Sequence, residues 1–114
     1  MRAFVDAYNR KSLTDVLAYY RADAFFWDPL HREGVRGRQA IGDVVEALFE
    51  AFPDERMAVQ TLAADGTHAV AELRSTGTTR DGRPFELEFT EVYEVIEGEI
   101  ASCHVYLDPE RLPV

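Results

Sequence analysis

The sequence predicts an α+β domain in which N-terminal helices pack across one face of a strongly curved antiparallel sheet. Apolar residues recur at helical spacing before residue 53 and alternate with a period of two after residue 57. Helices therefore come first and strands follow as a meander, which is the order typical of the α+β class. The chain has 114 residues, of which 46% are hydrophobic, so we expect a single domain over residues 1–114.

Three segments before residue 53 are predicted to be helices. Residues 1–10 carry apolar side chains at helical spacing. The second helix begins at a capping box formed by Ser12 and Asp15 and runs to about Tyr20. The third and strongest helix follows Gly37 and ends at Pro53, and it has one apolar stripe made of Ile41, Val44, Val45, Leu48, Phe49 and Phe52.

The strands are predicted from apolar runs and the turns between them. Ala24–Trp27 is a short buried strand that stops at Asp28-Pro29, because proline cannot continue a strand ladder. Residues 28–37 are expected to be irregular. Further strands are predicted at 57–64, 67–76, 84–96 and 99–107, separated by glycine-containing turns.

The strand at residues 84–96 has an acidic residue in the middle of its apolar face. Glu91 alternates in phase with Phe89 and Tyr93, whereas Glu88 and Glu94 fall on the opposite face. Burial would make Glu91 hold its proton more tightly, and a neutral carboxylic acid can donate a hydrogen bond to an enolate or act as a general acid. In an alternative interpretation, Glu91 lies near a sheet edge or a dimer seam and pairs with an arginine such as Arg74.

The last predicted strand has an apolar face of its own. Ala101, Cys103, Val105 and Leu107 alternate with polar residues that include His104. This apolar face and that of residues 84–96 are expected to join into one concave wall, which the helices close.

Several separated segments resemble one known superfamily. These are the run Ala-Phe-Phe-Trp-Asp-Pro at residues 24–29, Gly-Arg-Gln-Ala-Ile at 37–41 and the C-terminal stretches 93–100 and 105–109. Together they resemble the nuclear-transport-factor-2-like superfamily, and within it the branch of ketosteroid isomerases and SnoaL-like polyketide cyclases. The resemblance extends over essentially the whole chain. It implies a cone-shaped (cystatin-like) α+β barrel with a deep apolar pocket that assembles as a homodimer across the sheet.

The resemblance also implies roles for individual residues. Asp28 stands where ketosteroid isomerases keep the Asp-Pro whose carboxylate shuttles the proton, and Glu91 where they keep a protonated acid in the oxyanion hole. Phe4 occupies the position of the oxyanion-hole tyrosine of those isomerases, and Val45 occupies the position of the tyrosine that supports it. This sequence therefore lacks both tyrosine hydroxyls. Asp28 has a second interpretation, because Asp-Pro commonly forms a turn in which the side chain bonds to nearby backbone.

Two activities of the superfamily fit this sequence poorly. Val105 falls at the last-strand aspartate of the limonene epoxide hydrolases, and the long strand has Glu-Phe-Thr-Glu in place of their Arg-x-Asp. That activity is therefore rejected. The catalytic aspartate of SnoaL-like cyclases also falls at or beside Val105, which argues against a close copy of their acid–base chemistry.

The substrate-binding wall is expected to be aromatic and aliphatic, which suits a polycyclic or terpenoid ligand. Tyr8, Tyr19 and Tyr20 are candidates to replace the hydroxyl missing at Phe4. The residues expected to contact an apolar small molecule are Phe4, Trp27, Val45, Phe49, Phe89, Cys103, Val105 and Leu107.

The histidines are scattered and lack the paired spacing of metal ligands, so no metal site is expected. His31 is expected to be solvated at the pocket mouth, His68 to lie at the surface, and His104 to lie in a dimer contact on the outer sheet face. The sequence has neither a glycine-rich phosphate loop nor a nucleotide fingerprint, so we expect chemistry without a cofactor.

Charge and cysteine content restrict the partners and the compartment. Twelve Lys and Arg oppose 21 Asp and Glu, giving a formal net charge of −9. Such an acidic surface repels phosphate groups, so neither nucleic acid nor a membrane is an expected partner. The N-terminus lacks the apolar stretch of a signal peptide, and the single Cys103 excludes an internal disulfide. We therefore expect a cytoplasmic protein.

Two functions are compatible with these patterns. The first is a dimeric, cofactor-independent isomerase or cyclase that transfers protons on a hydrophobic carbonyl compound, with Asp28 as the base and Glu91 as the neutral hydrogen-bond donor. The second is a non-catalytic module that binds an apolar small molecule or serves dimerisation.

Overall fold

The computed structural model describes residues 1–113, and it confirms the α+β class. Three helices pack on one curved sheet of six strands in the order β2-β1-β6-β5-β4-β3. The helices are α1 (Arg2–Asn9), α2 (Leu13–Ala18) and α3 (Arg38–Ala51), and Pro109–Arg111 forms a short 3₁₀ turn. The strands are β1 (Tyr20–Asp28), β2 (His31–Arg36), β3 (Arg56–Ala64), β4 (His68–Thr78), β5 (Pro84–Ile96) and β6 (Glu99–Tyr106).

The sheet is mixed rather than wholly antiparallel. Strands β3 to β6 form the predicted antiparallel meander, but β1 inserts beside β6 and pairs with it in parallel. This pairing places the end of β1, including Asp28, next to the central strands. Within residues 1–113, no helix is long and apolar enough to cross a membrane.

The prediction that residues 28–37 are irregular was wrong. His31–Arg36 forms β2, an edge strand that pairs antiparallel with β1 through Phe26 and Val35. Gly34 permits this pairing, because a Cβ at its position would lie 2.2 Å from Cζ of Phe25. The first strand is also longer than predicted, since α2 ends at Ala18 and the chain is extended from Tyr20.

The starts of α2 and α3 follow from their capping residues. The hydroxyl of Ser12 accepts a hydrogen bond from the backbone N–H of Asp15 at 3.3 Å, which confirms the Ser12 half of the predicted capping box. The Asp15 half is not formed, because the carboxylate of Asp15 accepts from Arg10 and the N–H of Ser12 donates to the carbonyl of Ala7. Gly37 precedes α3 with a φ of 94°, a backbone conformation that favours glycine. Its N–H donates to the carbonyl of Ala24 at 2.8 Å and so ties α3 to β1.

The core lies between the helices and the concave face of the sheet. The ring of Phe4 packs edge-on against Tyr20 and Tyr93, with centroid distances of 5.7 and 6.1 Å. Asn9 at the end of α1 bonds in both directions to the backbone of Met57, at 2.9 and 2.7 Å. These bonds attach α1 to the edge strand β3.

The predicted faces of β5 are confirmed. Phe89, Glu91 and Tyr93 point to the concave face and Glu88 and Glu94 to solvent. The face of β6 was predicted less accurately. A register shift beside Glu94 and Val95 places Ile100 among the buried residues, whereas Ala101 is only half-buried. The bulge, which a strict period of two does not anticipate, explains the difference.

Candidate functional site

A mostly apolar cavity of about 130 Å³ lies between the concave face of the sheet and the helices. Leu30, which is 63% exposed, and Pro113 lie at its mouth. The other apolar lining residues are Phe4, Val16, Phe26, Pro29, Val44, Val45, Leu48, Phe52, Met57, Phe85, Leu87, Phe89, Val105, Leu107 and Leu112. Its polar lining is Tyr8, Tyr20, Asp28, Glu55, Ser75 and Glu91.

Five of the eight residues expected in the binding wall line this cavity, namely Phe4, Val45, Phe89, Val105 and Leu107, and three do not. Trp27 alternates with the inward Phe26 and Asp28, so its indole lies on the outer face, where Nε1 donates to the carbonyl of Arg32 at 2.9 Å.

Phe49 and Cys103 are also outside the lining. Phe49 packs against the ring of Tyr8 at a centroid distance of 5.1 Å. Cys103 is buried in the core beside Tyr20, and burial raises the pKa of its thiol well above the ordinary value. Neither side chain is placed to contact a ligand in the cavity.

Glu91 points into the cavity and is 9% exposed. Burial raises the pKa of Glu91 from 4.5 to about 7. The hydroxyl of Tyr93 donates a hydrogen bond to the carboxyl group and partly opposes this increase, whereas the nearby charge of Glu55 adds to the increase. The alternative partner, Arg74, instead contacts Glu86 and Glu88 on the outer face, at 3.6 and 3.5 Å. Glu91 is therefore an inward carboxyl group that holds its proton close to neutral pH.

Asp28 lines the cavity and also forms the turn that its Asp-Pro sequence predicts. Its Oδ1 accepts from the backbone N–H groups of Leu30 and His31, at 2.9 and 2.8 Å, and lies 2.8 Å from Nδ1 of His31. The side chain of Asp28 is 13% exposed and that of His31 is 38% exposed. These contacts all fall on Oδ1, so Oδ2 keeps lone pairs with which to accept a substrate proton.

His31 was expected to be solvated, and its side chain is 38% exposed, but it also pairs with Asp28, which was not predicted. The two side chains meet because the β1–β2 connection is tight and Asp28 pairs with His31 in the strand register. Because residues 28–37 were expected to be irregular, the contact between His31 and Asp28 was not predicted.

The strand register places Asp28 and Glu91 at the same height on the concave face. Trp27 pairs with His104, so Asp28 is level with Val105, and Val105 pairs with Glu91. Two neighbouring strand spacings put the backbones of Asp28 and Glu91 about 10 Å apart, with Val105 between them. The two carboxyl groups therefore flank one section of the cavity wall.

A third carboxyl group in the cavity lining, that of Glu55, was not recognised from the sequence. The hydroxyl of Tyr8 donates to its Oε1 at 2.6 Å, and the hydroxyl of Ser75 donates to its Oε2. Glu55 directly precedes β3 and is two residues before the inward Met57. Extending the period of two backwards by one step would have placed it inside.

The tyrosines that were candidates to replace the hydroxyl missing at Phe4 occupy different places. Tyr8 and Tyr20 line the cavity and Tyr19 does not. Burial raises the pKa of Tyr8 and Tyr20 above the ordinary value, so both phenols stay neutral donors. The hydroxyl bonded to Glu91 belongs to Tyr93, which was not among the candidates.

The arrangement places two carboxyl groups on the same concave face of a mostly apolar chamber, one on each side of Val105. An ionised Asp28 can remove a proton from carbon, and a protonated Glu91 can donate to an oxygen that gains negative charge. Among residues 1–113, no group of three or more His, Cys, Asp or Glu side chains is arranged to hold a metal ion.

Solved structures with this fold include a protein described in polyether ring formation and a protein crystallised with a small molecule. One is SalBIII, described as an epoxide hydrolase/cyclase-like enzyme in pyran ring formation in the polyether salinomycin. SalBIII is 18% identical to this chain with a TM-score of 0.86, and the match covers 99% of this chain and 91% of SalBIII. TerC, crystallised with polyporic acid, is 15% identical with a TM-score of 0.83, and the match covers 93% of this chain and 86% of TerC.

A protein from Catenulispora acidiphila, described as having a ketosteroid isomerase-like fold and crystallised with trimethylamine, has a TM-score of 0.87. It is 16% identical, and the match covers 96% of this chain and 85% of that one. Among curated proteins, none matches the chain. A family model described as the SnoaL-like domain matches residues 1–103. The chain therefore belongs to the SnoaL-like domain family and has the nuclear transport factor 2-like, ketosteroid isomerase-like fold.

Proposed function

We propose that the protein is a cofactor-independent isomerase or cyclase that transfers a proton on a hydrophobic carbonyl compound. The observation that carries this proposal is the placement of Glu91. It lies inside an apolar cavity with its pKa raised to about 7, level with the carboxylate of Asp28. A base and a neutral acid that face one chamber are what enolisation requires.

In the proposed reaction, Asp28 removes a proton from the carbon next to the substrate carbonyl. The electron pair moves onto the carbonyl oxygen, and protonated Glu91 donates a hydrogen bond to this enolate. In an isomerisation, Asp28 returns the proton to another carbon of the enolate. In an aldol cyclisation, the enolate carbon attacks a second carbonyl of the same molecule and Asp28 returns the proton to the new alkoxide. His31 holds Oδ1 of Asp28 and orients the carboxylate.

The cavity restricts the size of the substrate. An engineered apolar cavity of about 150 Å³ accommodates benzene, and the present cavity is about 130 Å³. One ring therefore fits inside the cavity, and the remainder of a larger substrate would extend toward the mouth beside Leu30. The ring-forming activity attributed to SalBIII and the polyporic acid bound to TerC support a cyclic, carbonyl-bearing substrate class.

Deuterium exchange measures the proposed proton removal without requiring the natural substrate. The C1 protons of 2-tetralone are followed by NMR in D₂O with wild type, Asp28→Asn and Glu91→Gln. We expect exchange above the buffer rate with wild type, and a loss of about 10²-fold or more in each variant. Asp23→Asn and Glu88→Gln change exposed carboxyl groups on β1 and β5, and they should exchange at the wild-type rate.

Two results would contradict catalysis by this pair. One is exchange at the buffer rate with wild type, and the other is an equal rate in wild type and Asp28→Asn. Either result would favour the second candidate function, a module that binds apolar small molecules without turnover. Phe4 and Val45 support that candidate, since they line the cavity where the resemblance implies hydroxyl groups. It predicts that 2-tetralone raises the melting temperature equally in wild type, Asp28→Asn and Glu91→Gln.

We further propose that the protein forms a homodimer through the outer face of the sheet. Val70, Val92, His104 and Trp27 pair in register across four neighbouring strands and form one outward row. The ring of Tyr106, which is 51% exposed, stacks on that of His104 at a centroid distance of 6.4 Å and lies tilted against that of Trp27 at 5.7 Å. Such a continuous apolar and aromatic strip is suited to an isologous contact.

A further inference from the structure

We propose that the carboxylate of Glu55, together with Tyr8 and Ser75, forms a second binding subsite that accepts a hydrogen bond from a hydroxyl group of the substrate. This inference deepens the proposed function and rests on it for the identity of the reacting carbonyl. It names a substrate class, namely a carbonyl compound of one or two rings that carries a hydroxyl on the side away from the carbonyl.

The first step in the argument is the capacity of Glu55 to accept hydrogen bonds. The carboxylate is buried, at 9% exposure, and lines the same cavity as Glu91. Tyr8 and Ser75 each donate one hydrogen bond to it. A carboxylate accepts about four hydrogen bonds, so about two acceptor positions remain for a ligand.

The second step is the stabilisation of this carboxylate. An ionised group in apolar surroundings is costly unless other groups compensate its charge. Besides the two hydroxyls, the ammonium of Lys11 lies nearby and donates to the backbone carbonyl of Glu55 at 2.5 Å. The same ammonium lies over the rings of Tyr8 and Phe49, 5.0 and 5.2 Å from their centroids. Residues from α1, the α1–α2 connection and β4 thus hold Glu55 in place.

The third step is the position of the subsite relative to Glu91. Ser75 pairs with Leu87, which is four residues from Glu91 along β5. Four residues of strand correspond to about 13 Å between backbones. The apolar side chains of Leu87 and Phe89 line the cavity over this interval. A two-ring compound that spans it would place its carbonyl at Glu91, its rings on Leu87 and Phe89, and its hydroxyl at Glu55.

The consequence is a preference for hydroxylated over methylated ligands. A hydroxyl donates to Glu55, whereas a methoxy group in the same position leaves the carboxylate without that bond and is larger. Hydrogen bonds to charged groups change affinity by about tenfold to hundredfold. We expect 6-hydroxy-2-tetralone to bind wild type about tenfold to hundredfold more tightly than 6-methoxy-2-tetralone.

The test measures dissociation constants of these two probes by calorimetry for wild type, Glu55→Gln and the matched control Glu50→Gln. Glu55→Gln keeps the side-chain shape but loses one acceptor oxygen, so the preference should fall to about threefold or less. Glu50 is exposed at the end of α3, and its variant should keep the full preference. Equal affinities for the two probes in wild type, or an unchanged preference in Glu55→Gln, would overturn the proposal.

A second measurement needs no variant and applies even where Glu55→Gln fails to fold. In wild type, the protons next to the hydroxyl of bound 6-hydroxy-2-tetralone should show nuclear Overhauser effects to the ring of Tyr8. Effects to Tyr93 instead would place the hydroxyl at Glu91 and contradict the subsite. Both measurements report binding, so they can succeed when deuterium exchange fails, and the two proposals fail separately.

Discussion

At the scale of single residues, Glu91 couples the stability of the fold to pH. Its pKa is about 7 in the folded protein and 4.5 in a free side chain. The native state therefore keeps a proton that the unfolded chain releases between these values. The free energy of unfolding should fall as pH rises through this window, and the stability that the protonated group contributes below pH 4.5 should be lost above pH 7.

Glu91→Gln tests this linkage directly. From pH 5 to 8, wild type should lose about 3 kcal/mol of unfolding free energy that the variant keeps, because glutamine does not titrate. Urea unfolding at several pH values gives both curves. Glu88→Gln, on the opposite face of β5, should keep the pH dependence of wild type. Parallel curves for wild type and Glu91→Gln would show that the folded pKa of Glu91 is ordinary.

The sequence identified single site residues where one strand pattern was sufficient. Glu91 interrupts a long alternating face, and alternation alone predicted its inward orientation, which the structure confirms. Alternation extended one step before β3 would also have placed Glu55 inside. Its partners Tyr8 and Ser75 lie on other elements, and the contact of His31 with Asp28 depends on the turn between β1 and β2. A periodicity along one segment carries no information about such partners.

At the scale of elements, β2 positions the carboxylate of Asp28. Its first residue, His31, bonds to Asp28, and its Gly34 lies against the ring of Phe25 on β1. The register shift between Phe26 and Asp28 lies in the same pair of strands. The packing of β1 on β2 therefore helps to determine where the proposed base points.

Gly34→Ala should disrupt this packing, and Gly82→Ala provides a matched control. Both glycines have positive φ, 76° and 85°, so each alanine carries the same type of backbone strain. A Cβ at Gly34 would lie 2.2 Å from Cζ of Phe25, whereas one at Gly82 meets nothing within 4 Å. Gly34→Ala should lose roughly 1 to 3 kcal/mol more than Gly82→Ala in urea unfolding. Equal losses would show that Phe25 moves aside freely.

The elements themselves were predictable to different degrees. Residues 84–96 form β5 with the predicted bounds, because a long alternating strand between two turns has a strong local signal. β2 has a weaker one, since charged side chains and Gly34 are typical of loops and also of short edge strands. The parallel pairing of β1 with β6 joins segments far apart in the chain, and no local pattern specifies it.

At the scale of the whole molecule, the mixed sheet gives its two faces different roles. Its concave face and the helices enclose the cavity that holds Asp28, Glu55 and Glu91. Its convex face carries the row from Val70 to Trp27 proposed as the dimer contact. Because neighbouring residues of a strand alternate between the faces, a substitution on the outer row can test dimerisation without changing the cavity lining.

Net charge makes the proposed dimer sensitive to salt. Each chain carries a formal charge of −9, and Glu72, Glu88 and Glu94 lie on the outer face beside the apolar row. Two such faces repel over a screening length of about 10 Å at 0.1 M salt, which shortens to about 3 Å at 1 M. Sedimentation velocity should therefore show tighter dimerisation at 0.5 M than at 0.02 M NaCl.

Tyr106→Glu should give a monomer at both salt concentrations. Thr14→Glu, a change of equal charge at an exposed position on α2, should dimerise as wild type does. A wild-type monomer at every salt concentration would exclude this interface, and a dimer that Tyr106→Glu leaves intact would place the contact on another face.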